Sequence, residues 1–250
     1  MKKIIAMLLV LVMAVAMVAC NNATQTPGTT APTVETTTPT EAPTTGEEVT
    51  VMTYEEYMAA EMDAEVTVEC YVQATQSWWD NKITVYAQDP DGAYFIYELA
   101  CSEEDAAQLL PGAKIRVNGY KGEWAGEIEI IDATFEFVEA EPYIAEALDV
   151  TELLGTEDLV KHQNMFVCFK GLTVKSVSYK NDEPGDDIYL TVTMDGADYD
   201  FCVERYLTGP DTDVYKAVGE LAEGDVIDVE GFLYWYEGVN THITAVSPAA

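Results

Sequence analysis

Seven aromatic residues carry the chemistry most open to a ligand: Trp78, Trp79, Trp124, Tyr179, Tyr234, Trp235 and Tyr236. Rings of this kind stack on sugars and on nucleobases, and Trp and Tyr are common anchors in protein interfaces. Their competing use is structural, closing the ends of a small β fold or packing on a neighbour. A second group is acidic. Asp182, Glu183, Asp186 and Asp187 surround Pro184-Gly185, and Asp211 and Asp213 flank a turn. Loop carboxylates suit calcium, which takes about six to eight oxygen ligands. No EF-hand spacing accompanies them, and a solvated acidic turn is the plainer reading. Catalysis finds no foothold: there is no GxSxG, no HExxH and no phosphate-binding glycine loop, and no Ser or Cys lies near His162 or His242 in sequence. We therefore assign no catalytic residue, no metal ligand beyond the weak calcium candidates, and no cofactor.

The elements that must position these rings come from a repeat. Residues 110–126 read LPGAKIRVNGYKGEWAG and residues 222–238 read AEGDVIDVEGFLYWYEG. Gly112, Ile115, Val117, Gly119, Tyr120, Trp124 and Gly126 are answered by Gly224, Ile227, Val229, Gly231, Phe232, Tyr236 and Gly238. A turn glycine, an alternating strand, a second glycine and an aromatic loop recur as one unit, so the chain reads as two copies of one small β domain.

In the first copy, alternation predicts strands over 65–72, 82–88 and 93–100, the last with Phe95, Tyr97 and Leu99 on one face. Ser102 followed by Glu103, Glu104 and Asp105 predicts a short helix that ends before Pro111. Strands resume over 114–120 and 127–138. The second copy predicts strands near 165–174, 187–194 and 197–204, a helix near 213–221, then strands near 225–233 and 239–246. Each copy has a helical prelude, the first capped by Thr53 and Glu56, the second within 151–162.

Five strands with a helix between the third and fourth resemble the OB-fold. The fold class expected is thus mainly β, with two tandem five-stranded OB-fold-like barrels, residues 49–140 and 141–250. Paired small barrels or sandwiches of another kind are the alternative. The resemblance implies binding on the face of strands two and three and on the loops joining strands 1–2 and 4–5. Trp78, Trp79 and Trp124 fall near those loops in the first copy, and Tyr179, Tyr234, Trp235 and Tyr236 in the second.

Ahead of the repeat, Lys2 and Lys3 precede an apolar run from Ile4 to Ala19, short for a membrane span and suited to a signal segment over residues 1–19. Met17-Val18-Ala19-Cys20 resembles a bacterial lipobox, which implies lipidation at Cys20. Residues 23–46 are dominated by Thr, Pro, Ala, Gly and Gln, too polar to offset the entropy of folding, so 20–48 reads as a disordered tether. With the tandem repeat, these features resemble uncharacterised bacterial lipoproteins with tandem OB-like domains. That resemblance implies lipid anchorage on the extracytoplasmic face of a cell membrane and brings no known catalytic residues.

Charge and cysteines bound the partners. The chain carries 45 acidic against 12 basic residues, a net charge of −33, and the acids are spread over both copies. Nucleic-acid binders depend on a basic footprint, so nucleic acid is excluded at this stage as a partner. Cys70, Cys101, Cys168 and Cys202 do not fall at matched repeat positions, and buried thiols are expected in preference to a Cys70–Cys101 or Cys168–Cys202 bridge. The function expected is a non-catalytic surface module that binds an oligosaccharide, a peptide or a protein. Alternatives are a structural or assembly lipoprotein, a calcium-binding surface protein and, disfavoured by charge, an OB-fold nucleic-acid binder.

Overall fold

Val66, Val68, Cys70 and Val72 alternate along β1 (Glu65–Thr75) and point into a core shared with Ile83 and Val85 of β2 (Lys82–Gln88). These belong to a computed structural model that describes residues 50–249; the signal segment, Cys20 and the tether lie outside the described residues. The first copy continues through β3 (Ala93–Ala100), α2 (Glu103–Ala106), β4 (Lys114–Trp124) and β5 (Glu127–Val138), after a prelude helix α1 (Tyr54–Ala59). The five strands close into a barrel of order β1-β2-β3-β5-β4, the arrangement of an OB-like fold. Thr53 and Glu56 form a reciprocal capping box on α1, and the Ser102 side chain accepts from Asp105 N–H at the start of α2.

The face predicted for β3 is corrected by a bulge. Tyr94, Ile96 and Leu99 enter the core, while Phe95 and Tyr97 lie on the outer side. Glu98 adopts φ 47°, and the pairing with β2 slips between Ile83 and Val85. One extra residue changes the parity of everything after it. Leu99 therefore does not share a face with Phe95 and Tyr97.

The second copy builds β7 (Phe166–Tyr179), β8 (Ile188–Met194), β9 (Ala197–Val203), α3 (Asp213–Gly219), β10 (Val226–Phe232) and β11 (His242–Pro248). A two-residue strand that the alternation did not predict, β6 (Leu148–Asp149), adds in parallel to β7. The six-stranded sheet runs β10-β11-β9-β8-β7-β6, and β10 also pairs with β7. Its prelude forms two 3-10 turns, Thr151–Leu153 and Leu159–His162, in place of an α-helix. Gly171, with φ 68°, sits at the β7 bulge and donates its N–H to Asp228 at 2.8 Å.

One close approach is common to both copies. A Cβ built on Gly119 would lie 2.8 Å from Ile130 Cγ2 and from Ile131 O, and one on Gly231 would lie 2.3 Å from His242 O. These positions accept only glycine because the neighbouring strand crosses where a side chain would sit.

The copies are locked together. Tyr86 stacks on Phe232 with centroids 4.6 Å apart, and Phe95 meets Tyr234 edge-on at 5.1 Å. Phe166 N–H donates to Gln88 at 2.8 Å, Gln163 donates to Gly126 O at 2.8 Å, and Asn164 donates to Ile128 O at 3.0 Å. The connection around Pro142 is pinned to the first copy as well: Ala145 N–H donates to Gln73 at 2.8 Å, and Tyr71 packs against Tyr143. Cys70, Cys101, Cys168 and Cys202 are all free and buried.

Candidate binding cleft

The outer side of β3 and β5 faces the outer side of β8 and β9 across a cleft of about 900 Å³. Alternation decides which residues reach it. Ile188, Leu190, Phe201 and Val203 turn into the second core, so Tyr189, Thr191, Asp200 and Cys202 turn outward. From the first copy come Phe95, Tyr97 and Glu129. The 4–5 hairpins supply Trp124 on one side and Tyr234 and Tyr236 on the other. A smaller groove of about 670 Å³ adjoins it, sharing Gln76 and Tyr97, and is lined by Trp78, Trp79 and Tyr206.

The predicted aromatics separate into two kinds. Trp124 and Tyr236, equivalent in the repeat, are 61% and 51% exposed and line the cleft. Trp79, 80% exposed, lines the adjoining groove. Tyr234 is half-buried, stacked on His242 with centroids 4.2 Å apart. The other three are chiefly structural. Trp78 packs against the first core and its Nε1–H donates to Cys101 O at 2.9 Å. Trp235 rests on Gly126, 2.8 Å from where a Cβ would be, and its backbone N–H donates to Glu127 at 2.8 Å. Tyr179 packs beside Tyr215 and Gly219 of α3, away from the cleft lining.

The calcium candidates are not gathered as ligands. Asp187 is buried, pairs with Lys180 Nζ at 2.8 Å and accepts from Arg205 N–H at 3.1 Å. Asp186 accepts from Asp187 N–H and lies 3.6 Å from Arg205. Asp182 and Glu183 point to solvent. Among the described residues no three His, Cys, Asp or Glu side chains are grouped to hold a metal ion.

Polar groups missed in the sequence set the character of the cleft. Glu129 is 9% exposed and has no hydrogen-bond or ion-pair partner among the described residues; burial raises its pKa. Burial also raises Glu204 to about 7, although its carboxylate accepts N–H groups from Tyr206 and Leu207 at 2.9 and 2.7 Å. His242 is 7% exposed and held neutral by burial, its pKa lowered to about 3. Gln76 Nε2 donates to Tyr86 Oη at 3.2 Å, and Tyr86 Oη is hydrogen-bonded to His242 Nδ1, 2.6 Å away, in a direction set by the imidazole tautomer. His242 Nε2 has no partner among the described residues. Outside the cleft, Glu127 is fully buried between the copies, and burial raises its pKa to about 9. The signal for the outer face was the alternation of β8 and β9; for Phe95 and Tyr97 it was hidden by the Glu98 bulge.

No family model and no curated protein matches this chain. Among solved structures, it is similar to a murine DNA-binding protein described as bound with double-stranded DNA, at 12% identity and a TM-score of 0.36 over 74% of this chain and 96% of the other. An Ifi202 HINa domain in complex with double-stranded DNA gives 8% identity and a TM-score of 0.33, over 76% and 98%. A replication protein A heterotrimer bound to single-stranded DNA gives 12% and 0.30, over 74% of this chain and 49% of the other. These findings correct the exclusion of nucleic acid. A charge summed over the whole chain does not decide what one face accepts.

Proposed function

We propose that this protein is a lipid-anchored extracytoplasmic binding module. It is built from two tandem OB-like barrels, the second closed by the β10–β7 pairing with β6 as an added strand. It holds an oligosaccharide in the cleft between them and performs no chemistry on it. The observation that carries this reading is that Trp124 and Tyr236, separated in sequence by one repeat length, line the same cleft. Flat exposed rings beside carboxylate, amide and imidazole groups match the alternating apolar faces and hydroxyl rims of sugars. Anchorage rests on the lipobox-like Met17-Val18-Ala19-Cys20.

Calorimetric titration of the full chain with a panel of neutral and charged oligosaccharides, and with single-stranded DNA, tests the cleft. Saturable sugar binding lost in Trp124→Ala and Tyr236→Ala, and kept in Leu110→Ala, is the expected result. Saturable binding of DNA alone, or sugar binding indifferent to both cleft variants, overturns it. Anchorage is tested separately by metabolic labelling with a fatty acid, which should disappear in Cys20→Ser.

A further inference from the structure

Two nine-tenths-buried polar side chains line the cleft with atoms that nothing in the described chain satisfies. Glu129 presents a carboxylate with no partner, and His242 presents Nε2. They belong to one cluster: Phe95 pairs with Glu129 across β3 and β5, the Phe95 ring meets Tyr234, and Tyr234 stacks on His242. The oxygens of Glu129 and Nε2 of His242 are not among the fully enclosed unpartnered atoms, so solvent reaches them through the cleft. A carboxylate on a largely buried side chain without a counter-charge is costly, and a ligand that brings a cation recovers that cost. Asp200 adds negative charge at the same lining, whereas its one cation, Lys180, is already engaged by Asp187. The surrounding ring faces favour a cation as well.

We propose that the cleft selects amine-bearing oligosaccharides, with the ammonium group opposite Glu129 and a sugar hydroxyl hydrogen-bonded to His242 Nε2. This inference rests on the reading of the cleft as an oligosaccharide site and narrows its ligand class. A free amine satisfies Glu129 by a charge-assisted hydrogen bond, while the N-acetylated sugar places a neutral amide there and leaves the carboxylate uncompensated. Neutral chains of the same length keep the stacking and lose the selectivity.

The discriminating experiment titrates the full chain with a glucosamine tetramer and an N-acetylglucosamine tetramer at pH 6.0, where the sugar amine is largely protonated. The expected result is at least about tenfold tighter binding of the free amine, weakened by added salt. In Glu129→Gln that ratio should collapse toward one, with the unfolding midpoint recorded to show that the variant is folded. Equal or tighter binding of the N-acetylated tetramer, or an unchanged ratio in Glu129→Gln, overturns the amine selectivity and leaves the sugar site standing. Binding of neither tetramer while a glucose oligomer binds does the same. Binding of an oligolysine peptide with no sugar bound overturns both.

Discussion

The hairpins joining β4 to β5 and β10 to β11 carry the same glycine and aromatic pattern, yet they meet different surroundings. In the first, Ala125 and Gly126 turn tightly with φ 52° and 93°, and Trp124 is left free at the cleft edge. In the second, Tyr236 takes the equivalent free position, but its neighbour Trp235 covers Gly126 of the first copy and donates its N–H to Glu127. A repeated element thus keeps one ring for solvent and spends its neighbour on joining the copies. A second contrast lies three positions before the exposed ring. Lys121 of the first copy corresponds to Leu233 of the second, and both are buried. Leu233 packs in its core, whereas Lys121 Nζ donates to the carbonyls of Tyr57, Met58 and Ala60 at 3.1, 2.7 and 2.9 Å. The cation is there because α1 ends beside it and leaves carbonyls that need donors.

The sharpest break of the comparison is between adjacent tryptophans. Trp78→Ala should cost about 3 kcal/mol, because it empties part of the first core and strands Cys101 O, whereas Trp79→Ala should stay within about 0.5 kcal/mol. Urea unfolding of the two variants checks this, and equal losses would remove the distinction between structural and exposed rings. Next, Gly119→Ala and Gly231→Ala should each cost about 1–3 kcal/mol, with Gly231→Ala the larger because its Cβ would lie closer to backbone, 2.3 Å from His242 O against 2.8 Å from Ile131 O. A milder Gly231 variant would mean that β11 yields more readily than β5. Lys121→Ala should lose about 2 kcal/mol by leaving the α1 carbonyls without their donor, measured by chemical denaturation.

A further prediction is a pH dependence located between the copies. Folded Glu127 keeps a proton that the unfolded chain releases above about pH 4.5, so raising pH from there to about 9 favours unfolding. His242 has the opposite sense: the unfolded chain binds a proton below about pH 6.5 that the folded chain refuses until about 3, so acidification through that range also favours unfolding. Glu127→Gln should therefore raise the unfolding midpoint more at pH 8 than at pH 5. A gain equal at both pH values would show that Glu127 is not held protonated in the fold.

Most strands and the main caps were legible in the chain because they depend on local rules. Alternating Val66, Val68, Cys70 and Val72 can only bury one face, and Ser102 ahead of three acids can only start a helix well. The Glu98 bulge was not legible, since nothing in AYFIYELA marks where an extra residue enters the ladder. That one irregularity turns Leu99 into the core, although Phe95 and Tyr97, which simple alternation groups with it, face out to the cleft. The acidic turn around Gly185 read as a solvated turn with calcium as the weaker alternative, because sequence spacing could not place Lys180 and Arg205 against it.

The sequence by itself determined the recurring β unit and the clustering of aromatic residues in the repeat's loops, both consequences of period and turn chemistry within a few residues. Only the tertiary structure decided which of those rings remain free, that outer strand faces from both copies share one cleft, and that Glu129 and His242 sit in it with unsatisfied atoms. Those outcomes depend on contacts between residues far apart in the chain, 156 positions for Tyr86 and His242, and the burial that gives Glu129 and His242 their character exists only once both copies have packed.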